Sequence, residues 1–261
     1  MKQPLAYIHP EAKIASNVVI EPFVTIDKNV VIGEGTHIGS NVTIMEGARI
    51  GKNCKIFPGA VISAIPQDLK FKGEDTLAII GDNTTLRECV TVNRGTASKG
   101  STTIGDNCLI MAYCHVAHDC TVGNNVIMSN VTQLAGEVVV GDWAVIGGGT
   151  MIHQFTHVGA HVMTMGGSKV NKDIPPYVKA AREPISYCGI NSVGLRRRGF
   201  TNEQIRDIQE IYRYIYLSRM NTSVAIEHIE AEMPATKERD EILLFVRNSP
   251  RGIMVNRFAC L

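Results

Sequence analysis

Three histidines and an aspartate stand out as residues able to do chemistry. In "AYCHVAHDCTVG", His118 follows His115 by three positions and Asp119 comes directly after, while "HQF" sets His153 beside Gln154. Imidazole has an unperturbed pKa of about 6.5, so near neutral pH it is mostly uncharged and ready to accept a proton, as a general base for hydroxyl attack must be. Three imidazoles are also the ligand set of a catalytic zinc, which makes a metal-dependent hydration enzyme the rival chemistry. A lone outward histidine is ordinarily a solvated surface residue, and the clustering is what separates these three from that reading. Two further polar groups accompany them: the "QDLK" stretch, with Gln67, Asp68 and Lys70, and the basic run Arg196 to Arg198, whose forked guanidinium donors suit phosphate.

All of these residues are embedded in, or flank, a six-residue repeat. Isoleucine recurs at Ile8, Ile14, Ile20, Ile26, Ile32, Ile38, Ile44, Ile50, Ile56 and Ile62. The same phase returns at Ile80, Leu86 and Val92, and again from Ile104 to Val170, where only Thr164 departs from the aliphatic rule. A period of six fits neither the helical period of about 3.6 nor simple strand alternation, and it points to a hexapeptide β-helix. A smaller inward position follows each aliphatic by four residues, as at Ala12, Val18, Thr36, Cys54, Cys108, Cys114 and Cys120. Gly, Asn and Asp between them supply the turns. Three hexads make a triangular coil, and roughly eight coils stacked about 4.8 Å apart make a prism of about 40 Å.

The repeat also sorts residues by direction. His115, His118 and His153 fall on outward positions, whereas the four cysteines in the small slot are core fillers. Neighbours on a strand face opposite sides, so the pattern leaves a direct His118–Asp119 pair open.

The hexads are interrupted near 64–79 and 98–103, and in a solenoid such insertions gather on one surface and often carry function. The repeat stops after "DIPPYV". We expect a β-helix over residues 1–178 and a helical subdomain over 179–261, with a capping box at Thr201 to Gln204 opening an amphipathic helix to about Leu217. Two more helical patterns follow, near 223–232 and 237–247.

With 44% hydrophobic residues among 261 and a formal charge of +1, the chain has ample core and no global field. Nucleic-acid binding and membrane electrostatics are not indicated. The start "MKQPLAYIHPEAK" lacks an apolar leader, and no stretch approaches the roughly 18 apolar residues of a membrane span, so a cytoplasmic location is expected. A convex prism has no cleft of its own, so an outward histidine cluster becomes a pocket only against another surface. A neighbouring copy is the economical choice, and a homotrimer suits a three-sided unit.

The ordered set "QDLK", "HVAHDCTVGN", "LAGEVVVGDWAVIGG", "HQF", "GAHVM", "DIPPYV" and "GINSVGLRRRGF" resembles the UDP-N-acetylglucosamine O-acyltransferases of lipid A synthesis. The resemblance runs from about Ile8 into the C-terminal helices. It implies a left-handed β-helix and transfer of a (3R)-hydroxyacyl chain from acyl carrier protein to the sugar 3-hydroxyl of UDP-N-acetylglucosamine. No cofactor or metal is implied beyond the carrier's phosphopantetheine. By the same resemblance His118 is the general base with Asp119 beside it, and the N–H of Gly136 faces the thioester oxygen. Gln67, Asp68, Lys70, His115, His153 and Gln154 line the sugar pocket. Asn191, Arg197 and Arg198 lie near phosphopantetheine or nucleotide phosphate, and Gly166 sits at the acyl-length position. A glycine there leaves room for a chain of about 14 to 16 carbons, each buried CH₂ contributing about 0.8 kcal/mol. Two positions depart from the family pattern: Glu137, where a histidine follows the oxyanion glycine, and Val193, where a glutamate lies near the nucleotide. Three other readings remain: a zinc carbonic anhydrase built on hexapeptide repeats, a solenoid without catalysis, and the related N-acyltransferase, which has an additional N-terminal domain.

Overall fold

A computed structural model describes residues 5–218 and 220–255 of the chain; the outermost residues of both expected domains, and Cys260, lie outside the described part. Strands of mostly two residues recur once per hexad, and each pairs in parallel with the strand one coil later, as Tyr7 with Thr25 and Ile8 with Ile26. Three sheets of 9, 8 and 10 strands form the faces of a triangular prism. The sheet beginning with Tyr7–Ile8 is the first face, that beginning with Lys13–Ile14 the second, and that beginning with Val19–Ile20 the third.

The hexad explains this shape. Its aliphatic points inward, so Ile26, Ile38, Ile44, Ile62, Leu86, Val92, Ile110, Val116, Leu134 and Ile146 are fully buried in one continuous core. The smaller inward slot sits beside each edge and holds mostly Val, Ala, Thr or Cys, with Ser168 in the same place after Thr164. Cys54, Cys108, Cys114 and Cys120 direct their thiols to the carbonyls of Gly81, Gly123, Ser129 and Ala135, each at 3.1 Å. Burial pushes all four thiols up, Cys120 to about 12, so they stay protonated and unreactive.

The edges turn through residues with positive φ. Between the second and third faces these are Asn53, Asn83, Asn107 and Asn125, then Trp143, His161 and Tyr177. Along the same edge Asp82, Asp106, Asn124 and Asp142 each accept the backbone N–H of Lys52, Asp82, Asp106 and Asn124, at 2.7 to 2.8 Å. That edge is a ladder in which these four side chains are each spent on the coil before.

Past Lys169–Val170 the third face continues through Val178–Ala181, parallel to Met163–Thr164, and Ser186–Ile190 returns antiparallel. Thus the prism carries a short hairpin beyond the last hexad. Four helices follow: α1 (Ser192–Arg197), α2 (Asn202–Leu217), α3 (Thr222–Glu232) and α4 (Lys237–Arg247). The capping box opens α2, with Thr201 accepting from the N–H of Gln204 and Gln204 returning the bond. Ile205, Ile208, Ile211, Tyr212 and Ile215 form its buried stripe, and Tyr212 donates to the carbonyl of Pro176. The helices close the end of the core, which would otherwise present open strand edges.

Candidate active site

Both inserted loops leave the prism at one edge, between the first and second faces. Residues 65–76 connect Val61–Ala64 to Leu77–Ile80, and residues 94–100 connect Thr91–Asn93 to Ser101–Ile104. The first loop is shorter than its expected interruption of 64–79 because Ala64 and residues 77–79 are strand, whereas the second begins at 94, ahead of the expected 98–103, and residues 101–103 are strand. On the next three coils along the same edge the turn residues are Asp119, Glu137 and Phe155, with φ of 59°, 60° and 62°.

His118 lies at this edge with its side chain 19% exposed, and its Nδ1 is 2.8 Å from Oδ2 of Asp119, whose side chain is completely buried. Strand alternation does not separate the pair because Asp119 is a left-handed turn residue, and the positive φ swings its carboxylate back toward the preceding side chain. The loop 94–100 wraps that carboxylate: the Thr96 hydroxyl donates to Oδ2 at 2.6 Å, and the N–H groups of Thr96 and Lys99 donate to Oδ1 at 2.9 and 3.2 Å. Burial alone would raise the Asp119 carboxyl, but these donors and His118 outweigh it and hold it below the usual carboxylate range. Asp119 is therefore an ionised acceptor locked in place. Lys99 is not marked by the hexad pattern, and Thr96, four residues after Val92, falls on the small slot without any tie to Asp119; the signal that could have found both is their place in an insertion on the edge that carries Asp119.

Gly136 is buried against the imidazole. A Cβ built there would lie 2.6 Å from both Cε1 and Nε2 of His118, so any side chain collides with the ring. The backbone of Gly136 is not in the left-handed region, and the requirement is for space alone. Among the described residues no acceptor meets its N–H. Glu137 turns toward the loop: Ser98 donates to its Oε1 at 3.2 Å, and Lys99 Nζ stands 4.0 Å from its Oε2 and 3.1 Å from the carbonyl of Asp119. His115, one strand before, accepts or donates at Nδ1 to the Thr91 hydroxyl at 2.7 Å, and burial, with the nearby His118, pushes its pKa down. His153 and Gln154 are exposed at the same edge above Gly136, the ring of His153 turned to the Gln154 carbonyl at 3.1 Å. Among the described residues no three His, Cys, Asp or Glu side chains converge on a point where a metal ion would be held.

The loop 65–76 carries Gln67 and Lys70 on exposed positions and Asp68 half-buried, its Oδ1 accepting the Lys70 N–H at 2.9 Å. Asn93 and Arg94 fasten it: Asn93 donates to the Ile65 carbonyl, and the Arg94 guanidinium lies 5.5 Å from the Phe71 ring.

The remaining expected site residues lie elsewhere on the prism. Asn191, Val193, Arg197 and Arg198 line a hollow of about 570 Å³ on the third face, with Met163 and Lys179. Asn191 is buried, capping α1 through the N–H of Gly194 and donating to the carbonyl of His161. Arg198 lies 5.3 Å over the Trp143 ring and 3.4 Å from Nδ1 of His161. Gly166 is exposed at the edge between the third and first faces, next to Gly148. A single chain brings His118, Asp119, Gly136, Glu137, His153, Gln154 and the two loops to one edge, and the arginine group to another face.

A triangular coil of hexads with a braced imidazole at its edge defines a hexapeptide-repeat acyltransferase built on a left-handed parallel β-helix. The bacterial transferase hexapeptide profile matches residues 101–132, the GMPPB C-terminal domain profile residues 2–99, and the profile of domain 2 of UDP-N-acetylglucosamine O-acyltransferase residues 173–254. The chain is 44% identical over 256 residues to the acyl-[acyl-carrier-protein]–UDP-N-acetylglucosamine O-acyltransferase of Janthinobacterium sp. (strain Marseille), covering 96% of this chain and 98% of the relative. Its counterpart in Sulfurihydrogenibium sp. (strain YO3AOP1) is 51% identical over 251 residues, covering 96% and 93%. The crystal structure of a UDP-N-acetylglucosamine acyltransferase from Bacteroides fragilis 9343 superposes with a TM-score of 0.96 at 57% identity, covering 97% of this chain and all of that one. The chain belongs to the UDP-N-acetylglucosamine O-acyltransferase family and is an acyltransferase. No helix among the described residues is long and apolar enough to cross a membrane.

Proposed function

We propose that the protein transfers a (3R)-hydroxyacyl chain from acyl carrier protein to the 3-hydroxyl of UDP-N-acetylglucosamine, with His118 as general base. The observation that carries the reading is the buried, ionised Asp119 bonded to Nδ1 of an imidazole whose other nitrogen lies against side-chain-free Gly136. Nε2 of His118 takes the proton as the sugar oxygen attacks the thioester carbon. The carbonyl oxygen then becomes an oxyanion within reach of the unpartnered Gly136 N–H, and donors of this kind are commonly worth about 3 kcal/mol. Collapse breaks the C–S bond, and the imidazolium returns the proton to the departing phosphopantetheine thiolate. The chemistry uses no cofactor or metal of the protein itself.

Gln67, Asp68, Lys70, His115, His153 and Gln154 surround the sugar and its diphosphate, with Glu137 altering the contacts beyond the oxyanion glycine. Asn191 holds the start of α1 so that Arg197 and Arg198 meet phosphate of the nucleotide or of phosphopantetheine. Because the arginine hollow and the His118 edge lie on different sides of one prism, a second copy must bring them together. We read the working assembly as a homotrimer in the cytoplasm with its sites between subunits; the apolar side chains of Met151, Met163, Met165 and Val131, exposed on one monomer, fit such contacts.

The test is transfer of 3-hydroxyacyl chains of graded length from acyl carrier protein to UDP-N-acetylglucosamine, comparing wild type with His118→Ala. The variant is expected to lose at least roughly 100-fold in kcat; retained turnover would remove His118 from the mechanism.

A further inference from the structure

The loop 94–100 makes more contacts with Asp119 than a simple connection requires. We propose that Thr96 is a positioning residue of the catalytic pair: its hydroxyl, aimed by the N–H of Ser98, fixes the Asp119 carboxylate so that His118 carries its proton on Nδ1 and presents a bare Nε2. This rests on the acyltransfer reading of His118.

The hydrogen bonds leave one consistent arrangement. The Thr96 hydroxyl accepts the Ser98 N–H at 3.1 Å, so its single proton is free to point to Oδ2 of Asp119, 2.6 Å away. Oδ1 is already taken by the N–H groups of Thr96 and Lys99. An ionised carboxylate only accepts, so the contact it makes with the imidazole at 2.8 Å requires a proton on Nδ1. The relay therefore runs from Ser98 through Thr96 to Asp119, and the other donor on Oδ2 is His118. It fixes the ring's tautomer and orientation together.

The loop is built to hold this geometry. Thr76 donates its hydroxyl to the Gly95 carbonyl at 2.7 Å, and the Gly95 N–H returns to the Leu77 carbonyl at 3.1 Å, so the base of one inserted loop anchors the other. A Cβ at Gly95 would meet the Ser101 nitrogen at 2.3 Å, which is why a glycine stands where the two limbs cross. The Gly100 N–H closes the turn on the Thr96 carbonyl at 2.8 Å. Anchoring uses the backbone of Gly95 and closure the carbonyl of Thr96, whereas the Thr96 hydroxyl bonds only the Ser98 N–H and Oδ2 of Asp119. The two roles can therefore be separated by substitution.

Thr96→Val keeps the shape and the bonds of the Thr96 N–H and carbonyl, and removes the hydroxyl with its two contacts, to Asp119 and to the Ser98 N–H. With the full-length assembled enzyme we expect kcat to fall roughly 10- to 100-fold with little change in KM for the nucleotide sugar. Thr96→Ser should recover most of the loss. Nitrogen-15 NMR of the histidine side chains, with His118→Ala identifying the signal, should show His118 protonated at Nδ1 in wild type and a mixture of tautomers in Thr96→Val. If His118→Ala is inactive while Thr96→Val keeps the wild-type kcat and tautomer, Thr96 does not position the pair. A serine variant as impaired as the valine variant would equally overturn the role of the hydroxyl. Activity retained in His118→Ala would instead remove the general-base reading on which the relay depends.

Discussion

Two edges of the same prism use the same backbone trick for different ends. At the edge between the second and third faces, Asn107 and Asn125 turn with φ of 56° and 58°; at the edge between the first and second, Asp119 and Glu137 turn with 59° and 60°. On the asparagine edge the side-chain oxygens of Asp106, Asn124 and Asp142 each cap the coil before. On the other edge the inserted loop 94–100 satisfies the carboxylate from outside, so Asp119 is held by the loop and free to hold an imidazole. A turn that stabilises becomes a turn that orients once an insertion supplies its donors. The scaffold and the site differ in who satisfies the carboxylate, not in backbone conformation.

The sharpest way to break this contrast is at Gly136, where room for the ring is the whole requirement. Gly136→Ala should lower kcat by at least roughly 100-fold by displacing the imidazole, while thermal unfolding shows little change; unimpaired turnover would mean the ring does not work from where it lies. On the other edge the outcome should invert. Asn125→Ala forces alanine into the left-handed region and should cost about 1 kcal/mol of stability, read by denaturant unfolding, with kcat unchanged. A loss of activity larger than the loss of stability would show that the edges are not separable.

A further contrast concerns pH. Burial first, and Arg198 second, push His161 down to about 4, so it stays neutral in the fold and titrates at about 6.5 when unfolded. Between those values the unfolded chain binds the extra proton, so stability is complete above about 6.5 and falls as pH drops toward 4. His161→Gln should flatten that part of the stability curve, measured by thermal midpoints between pH 4 and 7. An unchanged slope would assign the acid sensitivity to other groups.

The hexad spacing carries the prism almost entirely, because each buried aliphatic in register dictates a strand and each Gly, Asn or Asp a turn. It equally carries the outward direction of His115, His118 and His153 and the buried role of the cysteines. The contact of His118 with Asp119 is not legible from that spacing, since two-residue alternation fails at a residue of positive φ. Thr96 is harder still to see: its contact with Asp119 joins an irregular loop to a coil, and no period relates them. Beyond "DIPPYV" the repeat ends while the third face does not, because pairing of Val178–Ala181 with Met163–Thr164 requires backbone in register and no hexad. The separation of Arg197 and Arg198 from His118 follows from which face each occupies, a matter of coil phase and not of distance along the chain.

Parallel stacking also gives the surface a graduation. Equivalent positions on successive coils, such as Gly148 and Gly166, are 18 residues apart in sequence, the spacing of Asp106 to Asn124, yet only one strand spacing, about 4.8 Å, apart in space. A groove running along the prism therefore lengthens or shortens in whole rungs when a blocking side chain moves from one coil to the next. For an extended hydrocarbon lying in such a groove, selection would change in steps of several carbons at a time, with intermediate lengths adjusted only by the size of the side chain on a given rung.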